Sequence, residues 1–284
     1  DVVRPDVAVF TNIGHSHLEK LKTTNGVLKE KWSLISWMDN KGTLIVNMDD
    51  PMLAAKAKII KNKRLITYGI KNTCKLKATD IDIENGLTVT FKINAKKFEL
   101  KTCALNNIYN ALAAYACGQL FNVPVEKIIS ALKSFDFPKG RGQILKLGSG
   151  WMINDSYNSN PTSMLNAIQM LQTLKTQGKR IMMVADMLEL GSKAKELHSQ
   201  MGVAIAKANV DVLITVGALS RHLAANARKT NKNMSVFACA DIESAQKNLA
   251  KVLKNGDSLL IKGSRRMAME RIVDFLQMSP RASV

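Results

Sequence analysis

The second half of the chain alternates short apolar segments with longer amphipathic ones, and this alternation restricts its fold more than any other feature. The apolar segments lack strict polar alternation, which is typical of strands buried on both faces of a sheet. The predicted strands are 151–154, 180–184, 212–216, 236–238 and 258–261, and the predicted helices are 161–174, 194–208, 219–227, 242–253 and 267–276. Strands that alternate with helices predict an α/β fold with a doubly wound, Rossmann-like parallel sheet.

The first half shows a related pattern with one interruption. Strands are predicted at 7–10, 43–46 and 65–68, and helices at 23–38, 106–121 and 125–134. Between residues 76 and 103 the pattern changes to short alternating segments, which predicts an antiparallel hairpin that turns at 84–86. The helical pattern breaks at Phe137-Pro138. We therefore predict two domains, residues 1–137 and 138–284.

The net charge raises an alternative function. The 284 residues include 41 Lys and Arg against 23 Asp and Glu, a formal charge of +18. Such a charge attracts polyanions, so a basic nucleic-acid-binding protein is the alternative of a different class. The basic residues are mostly lysines in short, dispersed pairs such as Lys96-Lys97, without an arginine stripe. We therefore expect a lysine-rich surface, no nucleic-acid partner and a monomer.

Composition also restricts the cellular context. The chain has no run of about 18 apolar residues, the length that a spanning helix needs, so we expect no membrane insertion. The four cysteines lack the clustered spacing of zinc sites, and their number does not suit a disulfide framework. Reduced thiols predict a cytoplasmic protein. The sequence begins with Asp1 and without a basic-then-apolar leader, which predicts a fragment or a processed chain.

Three polar segments follow predicted strands of the second half, where ligands bind in sheets of this kind. Residues 154–161 form a dense polar loop that suits either helix capping or ligand contact. Residues 186–191 place two carboxylates after a strand, for an ammonium group, a magnesium ion or a capped loop. Residues 262–266 carry three cations, which suit an anionic ligand or an ordinary basic turn.

The first half offers a weaker signal after its first strand. His15, His17 and Glu19 lie close together, but zinc requires more nitrogen or sulfur ligands than these, and magnesium prefers oxygen. Lys31 by itself is typical of a helix surface. The sequence contains no phosphate-binding G-x-x-x-x-G-K-[ST] motif and no G-x-G-x-x-G that opens a helix after a strand.

Taken together and in order, these segments resemble the Mur ligases. The resemblance includes the motifs Tyr-Asn-Ser-Asn-Pro at 157–161 and Met-Leu-Glu-Leu-Gly at 187–191. The matching segments are 12–14, 17–19, Lys31, 47–51, 107–114, 139–141, 155–161, 186–191 and 262–265. The resemblance implies a partial central ATPase domain followed by a Rossmann-like C-terminal domain. It also implies that the N-terminal domain and the P-loop of the family are missing, so that the chain alone would be inactive.

The resemblance implies ATP-dependent amide synthesis. In this reaction ATP phosphorylates a substrate carboxylate, an amine attacks the acyl phosphate, and phosphate leaves. The similarity is greatest to ligases that add D-alanyl-D-alanine to UDP-N-acetylmuramoyl-tripeptide in peptidoglycan synthesis. Other Mur-type amino-acid ligases and folylpolyglutamate synthetase are the alternatives within the superfamily.

The resemblance also implies residue roles. His17 and Lys31, the latter as a carbamate, would be catalytic and would bind Mg²⁺. The nucleotide would lie between the two domains and would contact four residues: Asn107 at the adenine, Arg141 at the γ-phosphate, Asp155 at the ribose, and Asp50. The peptide or dipeptide substrate would contact Asn158, Asn160, Asp186, Lys262 and Ser264.

Overall fold

The computed structural model describes residues 4–15, 17–61 and 63–278, which form two compact units. The first unit consists of the described residues up to Glu84, together with Thr88–Lys101 and Leu105–Asp136. The second unit consists of Asn85–Leu87, Thr102–Ala104 and the described residues from Phe137 onward.

The first unit contains one sheet of six strands in the order β1-β2-β3-β4-β5-β6. Its strands are β1 Val7–Phe10, β2 Thr43–Asn47, β3 Arg64–Gly69, β4 Leu76–Glu84, β5 Thr88–Ile93 and β6 Lys96–Leu100. Its helices are α1 Leu18–Leu21, α2 Thr24–Trp32, α3 Pro51–Ala57, α4 Asn106–Leu120 and α5 Val125–Lys133. The pairings from β1 to β4 are parallel and those from β4 to β6 are antiparallel, which confirms the predicted antiparallel excursion.

The predicted helix over 23–38 is shorter than expected. Helix α2 ends at Trp32 and a 3₁₀ turn follows over Ser33–Trp37. The Ser33 hydroxyl donates to the Glu30 carbonyl at 2.6 Å, and the Ser36 hydroxyl donates to the Ser33 carbonyl at 2.6 Å. Serine hydroxyls that compete for backbone carbonyls in this way weaken the regular α-helical pattern.

The second unit also contains one six-stranded sheet, in the order β11-β10-β9-β12-β8-β7. Its strands are β7 Gln143–Leu147, β8 Gly150–Asp155, β9 Arg180–Ala185, β10 Val212–Val216, β11 Ser235–Cys239 and β12 Ser258–Lys262. Its helices are α6 Pro161–Thr173, α7 Ala194–Ala206, α8 Ser220–Thr230, α9 Ile242–Val252 and α10 Glu270–Met278. The five predicted strands are present and parallel, as expected.

Strand β7 is the exception to the predicted parallel sheet. It pairs antiparallel with β8 at the sheet edge. The strand lies between Gly142 and Gly148, which both have positive φ, and the turn at Gly148 reverses the chain into β8. Only Leu147 of its five residues is buried, and Gln143 and Lys146 interrupt its apolar residues, so the sequence shows no continuous apolar segment here.

Strand β12 occupies the centre of this sheet, between β9 and β8. Its residues Leu259, Leu260 and Ile261 are fully buried. On one side Lys262 is in register with Asp155 of β8, and on the other with Val184 of β9. The last strand along the described chain therefore brings the ends of β8 and β9 together.

Helices α7 and α8 approach each other at Gly202. A Cβ atom built on Gly202 would lie 2.1 Å from the Leu223 carbonyl oxygen, so only glycine allows this distance between the two helices.

Among the described residues, no helix combines the length and apolar character that crossing a bilayer requires.

Candidate functional site

The loop after β1 is held by polar contacts on several sides. Lys31 of α2 donates from Nζ to the Asn12 carbonyl at 3.0 Å, and Asn47 donates from Nδ2 to the Thr11 carbonyl at 2.9 Å. His17 begins α1 just beyond this loop, with a left-handed φ of 55°. The structure thus places the predicted ligands Lys31 and His17 on elements that flank one loop of the first unit.

Asp50 contacts the same loop. Its Oδ2 accepts from the Ile13 amide at 2.6 Å, and its Oδ1 accepts from the Met52 and Leu53 amides at 3.0 Å. Asp50 is therefore the N-cap of α3 and a tie to the loop after β1. Both of its carboxylate oxygens have partners within the unit, and its contact with a nucleotide stays a prediction.

Asn107 lies in the first turn of α4 and is buried. Its Oδ1 accepts from Nδ2 of Asn110 at 3.0 Å. Nearby on the same helix, the Tyr109 hydroxyl donates to Oδ2 of Asp49 at 3.0 Å. This hydrogen bond orients the Asn107 side chain, and its contact with adenine stays a prediction.

Asp49 was not among the predicted site residues, although it precedes Asp50. Burial opposes its ionisation, but hydrogen bonds from the backbone of Asn72, Lys71 and Ile70 and from Tyr109 outweigh burial and lower the pKa of Asp49. The carboxylate therefore stays charged and closes the loop after β3. A paired Asp-Asp before a helix proline could have indicated one capping and one loop-fixing residue.

The described residues of the first unit supply only some of the ligands that Mg²⁺ requires. Among them, as in the rest of the described chain, no group of three or more His, Cys, Asp and Glu side chains is arranged to hold a metal ion. Unmodified Lys31 is a cation and repels Mg²⁺. A carbamate on Lys31 would supply the oxygen ligand that Mg²⁺ prefers, and this metal normally completes its shell with waters and substrate phosphates. The chemistry of such a carbamate would suit Mg²⁺, and binding of the metal at His17 and Lys31 stays a prediction.

In the second unit, Lys262 and Asp155 form an ion pair at the carboxyl ends of two neighbouring strands. Lys262 Nζ lies 2.5 Å from Asp155 Oδ2 and 2.9 Å from the Asn158 carbonyl oxygen. The Lys262 side chain is 1% exposed and that of Asp155 is 19% exposed. Lys262 therefore joins the end of β8 to the loop after it.

The Asp155 carboxyl experiences opposing influences. Burial raises the pKa of Asp155, while the Lys262 charge and hydrogen bond, the Gly142 backbone amide and the Arg141 charge act to lower it. Burial is the largest of these influences, so the pKa of Asp155 lies above its ordinary value. The carboxylate depends on its cationic neighbours to remain ionised.

Among the polar residues of the loop after β8, Asn160 caps a helix and Asn158 is exposed to solvent. Asn160 is the N-cap of α6: its Oδ1 accepts from the Ser163 amide at 2.9 Å, and Ser163 Oγ accepts from the Asn160 amide at 3.0 Å. This capping box satisfies the helix start. Asn158 is exposed, and its Oδ1 accepts from the Ser159 amide at 2.8 Å. The ligand roles of both residues stay predictions.

Asp186 caps a helix as well. Its Oδ1 accepts from the Ser220 amide at 2.7 Å, and its Oδ2 accepts from the Leu219 amide at 3.2 Å, at the start of α8. Gly217 has a φ of 108°, and a Cβ atom there would lie 2.6 Å from the Asp186 carboxylate. The Asp186 carboxylate therefore joins the ends of β9 and β10, and its contact with substrate stays a prediction.

Ser264 connects the loops that follow three strands. Its Oγ accepts from the Leu188 amide at 2.8 Å and donates to the Ser159 carbonyl at 3.4 Å, and its amide donates to the Asp186 carbonyl at 3.2 Å. The structure thus brings five predicted residues into one network at this sheet edge. They are Asp155, Asn158, Asp186, Lys262 and Ser264.

Arg141 stacks on an aromatic ring. Its guanidinium carbon lies 3.9 Å from the centroid of the Tyr157 ring, and that of Arg265 lies 5.8 Å from the same centroid. Such cation–π contacts hold an exposed arginine in place. A pocket of about 320 Å³ opens here, and Lys139, Arg265 and Glu270 contribute both signs of charge to its wall. Tyr157 was not among the predicted site residues, although it lies inside a quoted motif.

His198 is a second residue that the sequence did not single out. It lies in the middle of α7, is fully buried, and contacts the backbone of the 186–191 loop through Nε2, 2.9 Å from the Met187 amide. A lone histidine on an amphipathic helix gives no signal of such a contact. Only the fold places it against a loop that begins twelve residues earlier.

Comparison with known proteins identifies two family domains in the chain. The model described as "Mur ligase middle domain" matches residues 1–118, and "Mur ligase, glutamate ligase domain" matches residues 140–265. Both matches agree with the resemblance that the motifs indicated.

Curated relatives and solved structures lead to the same family. The UDP-N-acetylmuramoyl-tripeptide–D-alanyl-D-alanine ligase of Bacillus subtilis is 32% identical over 281 residues, covering 98% of this chain and 61% of the relative. The Escherichia coli protein of the same name is 28% identical, covering 97% and 61%. A crystal structure of MurF from Acinetobacter baumannii has a TM-score of 0.85 at 25% identity, covering 98% and 60%.

The chain thus spans about 60% of the length of these relatives. Within that span, the two domain models cover most of the sequence, and the Acinetobacter structure has the same fold. From these matches and from the two sheets described above, we conclude that this chain belongs to the Mur ligase family.

Proposed function

We propose that the chain is part of an ATP-dependent ligase that adds D-alanyl-D-alanine to UDP-N-acetylmuramoyl-tripeptide in peptidoglycan synthesis. The observation that carries this proposal is the 32% identity, over 98% of the chain, to the Bacillus subtilis ligase of that name. The polar network at the carboxyl edge of the second sheet supports it, because ligands of doubly wound sheets bind at that edge.

The proposed reaction has two steps. A carboxylate oxygen of the tripeptide attacks the γ-phosphorus of ATP, and ADP leaves with the electrons of the broken bond. The amine of D-alanyl-D-alanine then attacks the acyl carbon, loses a proton and expels phosphate. Both steps bring anions together, so the site must neutralise negative charge as the transition states form.

Arg141, Asp155, Asn107 and Asp50 are the proposed nucleotide contacts. Arg141 is exposed and held over Tyr157, which orients a guanidinium for phosphate, a ligand that arginine recognises through two parallel hydrogen bonds. The Lys262 ion pair keeps Asp155 charged and oriented as a hydrogen-bond acceptor for ribose. Asn107 would recognise adenine, and Asp50 would act through the loop after β1.

The acceptor substrate would bind beside the loops after β8, β9 and β12. Asn158 is exposed and would contact the substrate directly, whereas Asn160, Asp186 and Ser264 would shape the surface through the loops that they fix. Lys262 is fully enclosed and would act by positioning Asp155 and the Asn158 backbone.

Mg²⁺ would bind His17 and carbamylated Lys31 and would neutralise phosphate charge. A signal from the carbamate carbon tests this assignment without requiring turnover. In ¹³C-bicarbonate with Mg²⁺ and ADP, we expect a protein-bound carbamate resonance that Lys31→Arg abolishes. Lys29→Arg, an exposed lysine on the same helix, should retain the resonance. An unchanged spectrum for Lys31→Arg would contradict the assignment.

The ligase activity itself can be tested in a chimera. The Bacillus subtilis relative would supply the portion of its length that this chain does not match, joined to residues 1–284. We expect phosphate release that requires ATP, UDP-N-acetylmuramoyl-tripeptide and D-alanyl-D-alanine together. Lys31→Ala should reduce the rate about 100-fold or more, since the metal's oxygen ligand is lost. Lys29→Ala is the matched control.

The choice of amine separates the alternatives in the same assay. Turnover with diaminopimelate, lysine or glutamate in place of D-alanyl-D-alanine would favour another Mur-type ligase or folylpolyglutamate synthetase and would contradict the proposal.

The proposed location is the cytoplasm. Four free cysteines support it, and burial raises the pKa of one of them, Cys103, to about 12. The monomeric state and the absence of a nucleic-acid partner stay predictions.

A further inference from the structure

The imidazole of His198 has one polar partner at each ring nitrogen. Nε2 lies 2.9 Å from the Met187 amide nitrogen, and Nδ1 lies 2.7 Å from the Ala194 carbonyl oxygen. The side chain is completely buried, so water does not compete for either nitrogen. The ring therefore connects helix α7 with the loop over 186–191.

These two partners fix the charge and the tautomer of the ring. A backbone amide can only donate, so Nε2 must offer its lone pair to Met187. A carbonyl oxygen can only accept, so Nδ1 must carry the proton that points at Ala194. A second proton on Nε2 would face the Met187 N–H directly. Only the neutral imidazole is compatible with the observed loop.

The other anchors of this loop are a carboxylate and a hydroxyl rather than an imidazole. Asp186 accepts from the α8 amides, and Ser264 Oγ accepts from the Leu188 amide. Within this set, the Met187 contact is the one whose acceptor gains a proton in mildly acidic solution. The loop presents exposed Glu189, which has a left-handed φ of 62° that the anchors must maintain.

The surroundings of the ring disfavour its protonated form. Burial is the largest influence and lowers the pKa of His198, and the charge of His222 on α8 acts in the same direction. The Ala194 carbonyl and the Asp186 carboxylate act in the opposite direction. Helix α6 has no titratable residue, and the 3₁₀ turn before α7 contributes only exposed Lys193.

We propose that His198 is a positioning residue that holds the 186–191 loop in place while its ring is neutral and releases it when the ring is protonated. This proposal deepens the proposed function, on which its consequence for the acceptor substrate rests. Acid would loosen one wall of the acceptor region, although no ionisable group of the reaction itself had changed.

The direction of the pH effect follows from linkage. The pKa of His198 is lower in the closed loop than in an open loop, where it approaches the ordinary value of about 6.5. Between these two values the open form binds more protons, so falling pH favours opening. Opening should increase by at most tenfold per pH unit in that window, and the effect should fade above it.

Hydrogen exchange of individual amides in the chain measures this opening. From pH 6.5 to 5.5 we expect the protection factor of the Met187 amide to fall by up to about fivefold, while that of Met183 in β9 stays constant. His198→Gln offers an acceptor oxygen that does not titrate, so its Met187 protection should be independent of pH. His15→Gln replaces a histidine of the first unit that does not influence His198, and this control should keep the wild-type dependence.

Several outcomes would overturn the proposal. One is constant Met187 protection in the wild-type chain, and another is an unchanged pH dependence in His198→Gln. Ring ¹⁵N shifts of the wild-type chain give a test without any variant, because a protonated Nε2 at pH 7.5 would contradict the assigned tautomer. These measurements use no substrate. If the chimera rejects D-alanyl-D-alanine while Met187 follows pH as expected, the proposed function fails and the positioning role remains.

Discussion

Replacing Lys262 with methionine is expected to lower the free energy of unfolding of the second unit by about 3 kcal/mol. Lys262 is 1% exposed and is the ion-pair partner of Asp155, whose side chain is 19% exposed. Methionine fills a similar volume, but it leaves the carboxylate and the Asn158 carbonyl without their donor. An unpaired buried charge is the main source of the loss. Urea unfolding followed by tryptophan fluorescence measures it.

Two further variants show whether the ion pair is the cause. Arg271→Met removes an exposed pair with Glu243 in the same unit and should cost less than about 1 kcal/mol. Asp155→Asn in the Lys262→Met background removes the stranded charge and should restore part of the lost stability. Equal losses in free energy of unfolding for Lys262→Met and Arg271→Met would show that the buried pair contributes no more to stability than the exposed pair.

The loss in free energy of unfolding caused by Lys262→Met should depend on pH in a defined direction. Burial already raises the pKa of Asp155, and removal of the ammonium raises it further. A group whose pKa is higher in the folded state binds more protons when folded, so stability increases as pH falls toward that pKa. The deficit of Lys262→Met should therefore shrink as pH falls from 7 toward the ordinary aspartate pKa of about 3.9.

Gly217→Ala is expected to destabilise the same unit by about 3 kcal/mol, as the sum of backbone strain and a lost helix cap. The residue has a φ of 108°, and the new Cβ atom would lie 2.6 Å from the carboxylate of Asp186. Asp186 would have to leave the Leu219 and Ser220 amides that it caps. Thermal unfolding measures the loss.

Gly256→Ala separates the two contributions. Gly256 has a φ of 86°, but its nearest atoms to a new Cβ lie 3.5 Å away, at ordinary contact distance. Its variant should show the backbone penalty of about 1–2 kcal/mol without the steric one. If both variants lose the same stability, then contact with Asp186 contributes nothing and the cap survives the substitution.

The sequence was sufficient to predict the parallel strands and the polar loops after them. Strands β9, β10 and β12 follow the apolar segments closely, because burial on both faces leaves a clear composition signal. Strands β8 and β11 are more exposed, but they also coincide with short apolar segments. Edge strand β7 was not predicted because only one of its five residues is buried and polar residues interrupt its apolar segment. Helix α2 was predicted too long because Ser33 and Ser36, which follow it, bond to backbone carbonyls and end the α-helical pattern.

The site was predictable as a set of loops and less so as a set of roles. Asp186 and Asn160 were each open to capping or to ligand contact, and the structure shows the capping. The decision depends on where α8 begins relative to β9, which periodicity does not reveal. His198 was missed because its partner, the Met187 amide, is a backbone atom without a sequence signature.

The central position of β12 has a consequence for synthesis on the ribosome. Strands β8 and β9 both emerge before β12, yet each pairs with β12 and not with the other. Until Ser258–Lys262 has left the exit tunnel, two apolar strand edges stay uncovered and Asp155 lacks its lysine. A stalled or prematurely terminated nascent chain that ends before Ser258 would therefore expose edges of the kind that promote aggregation.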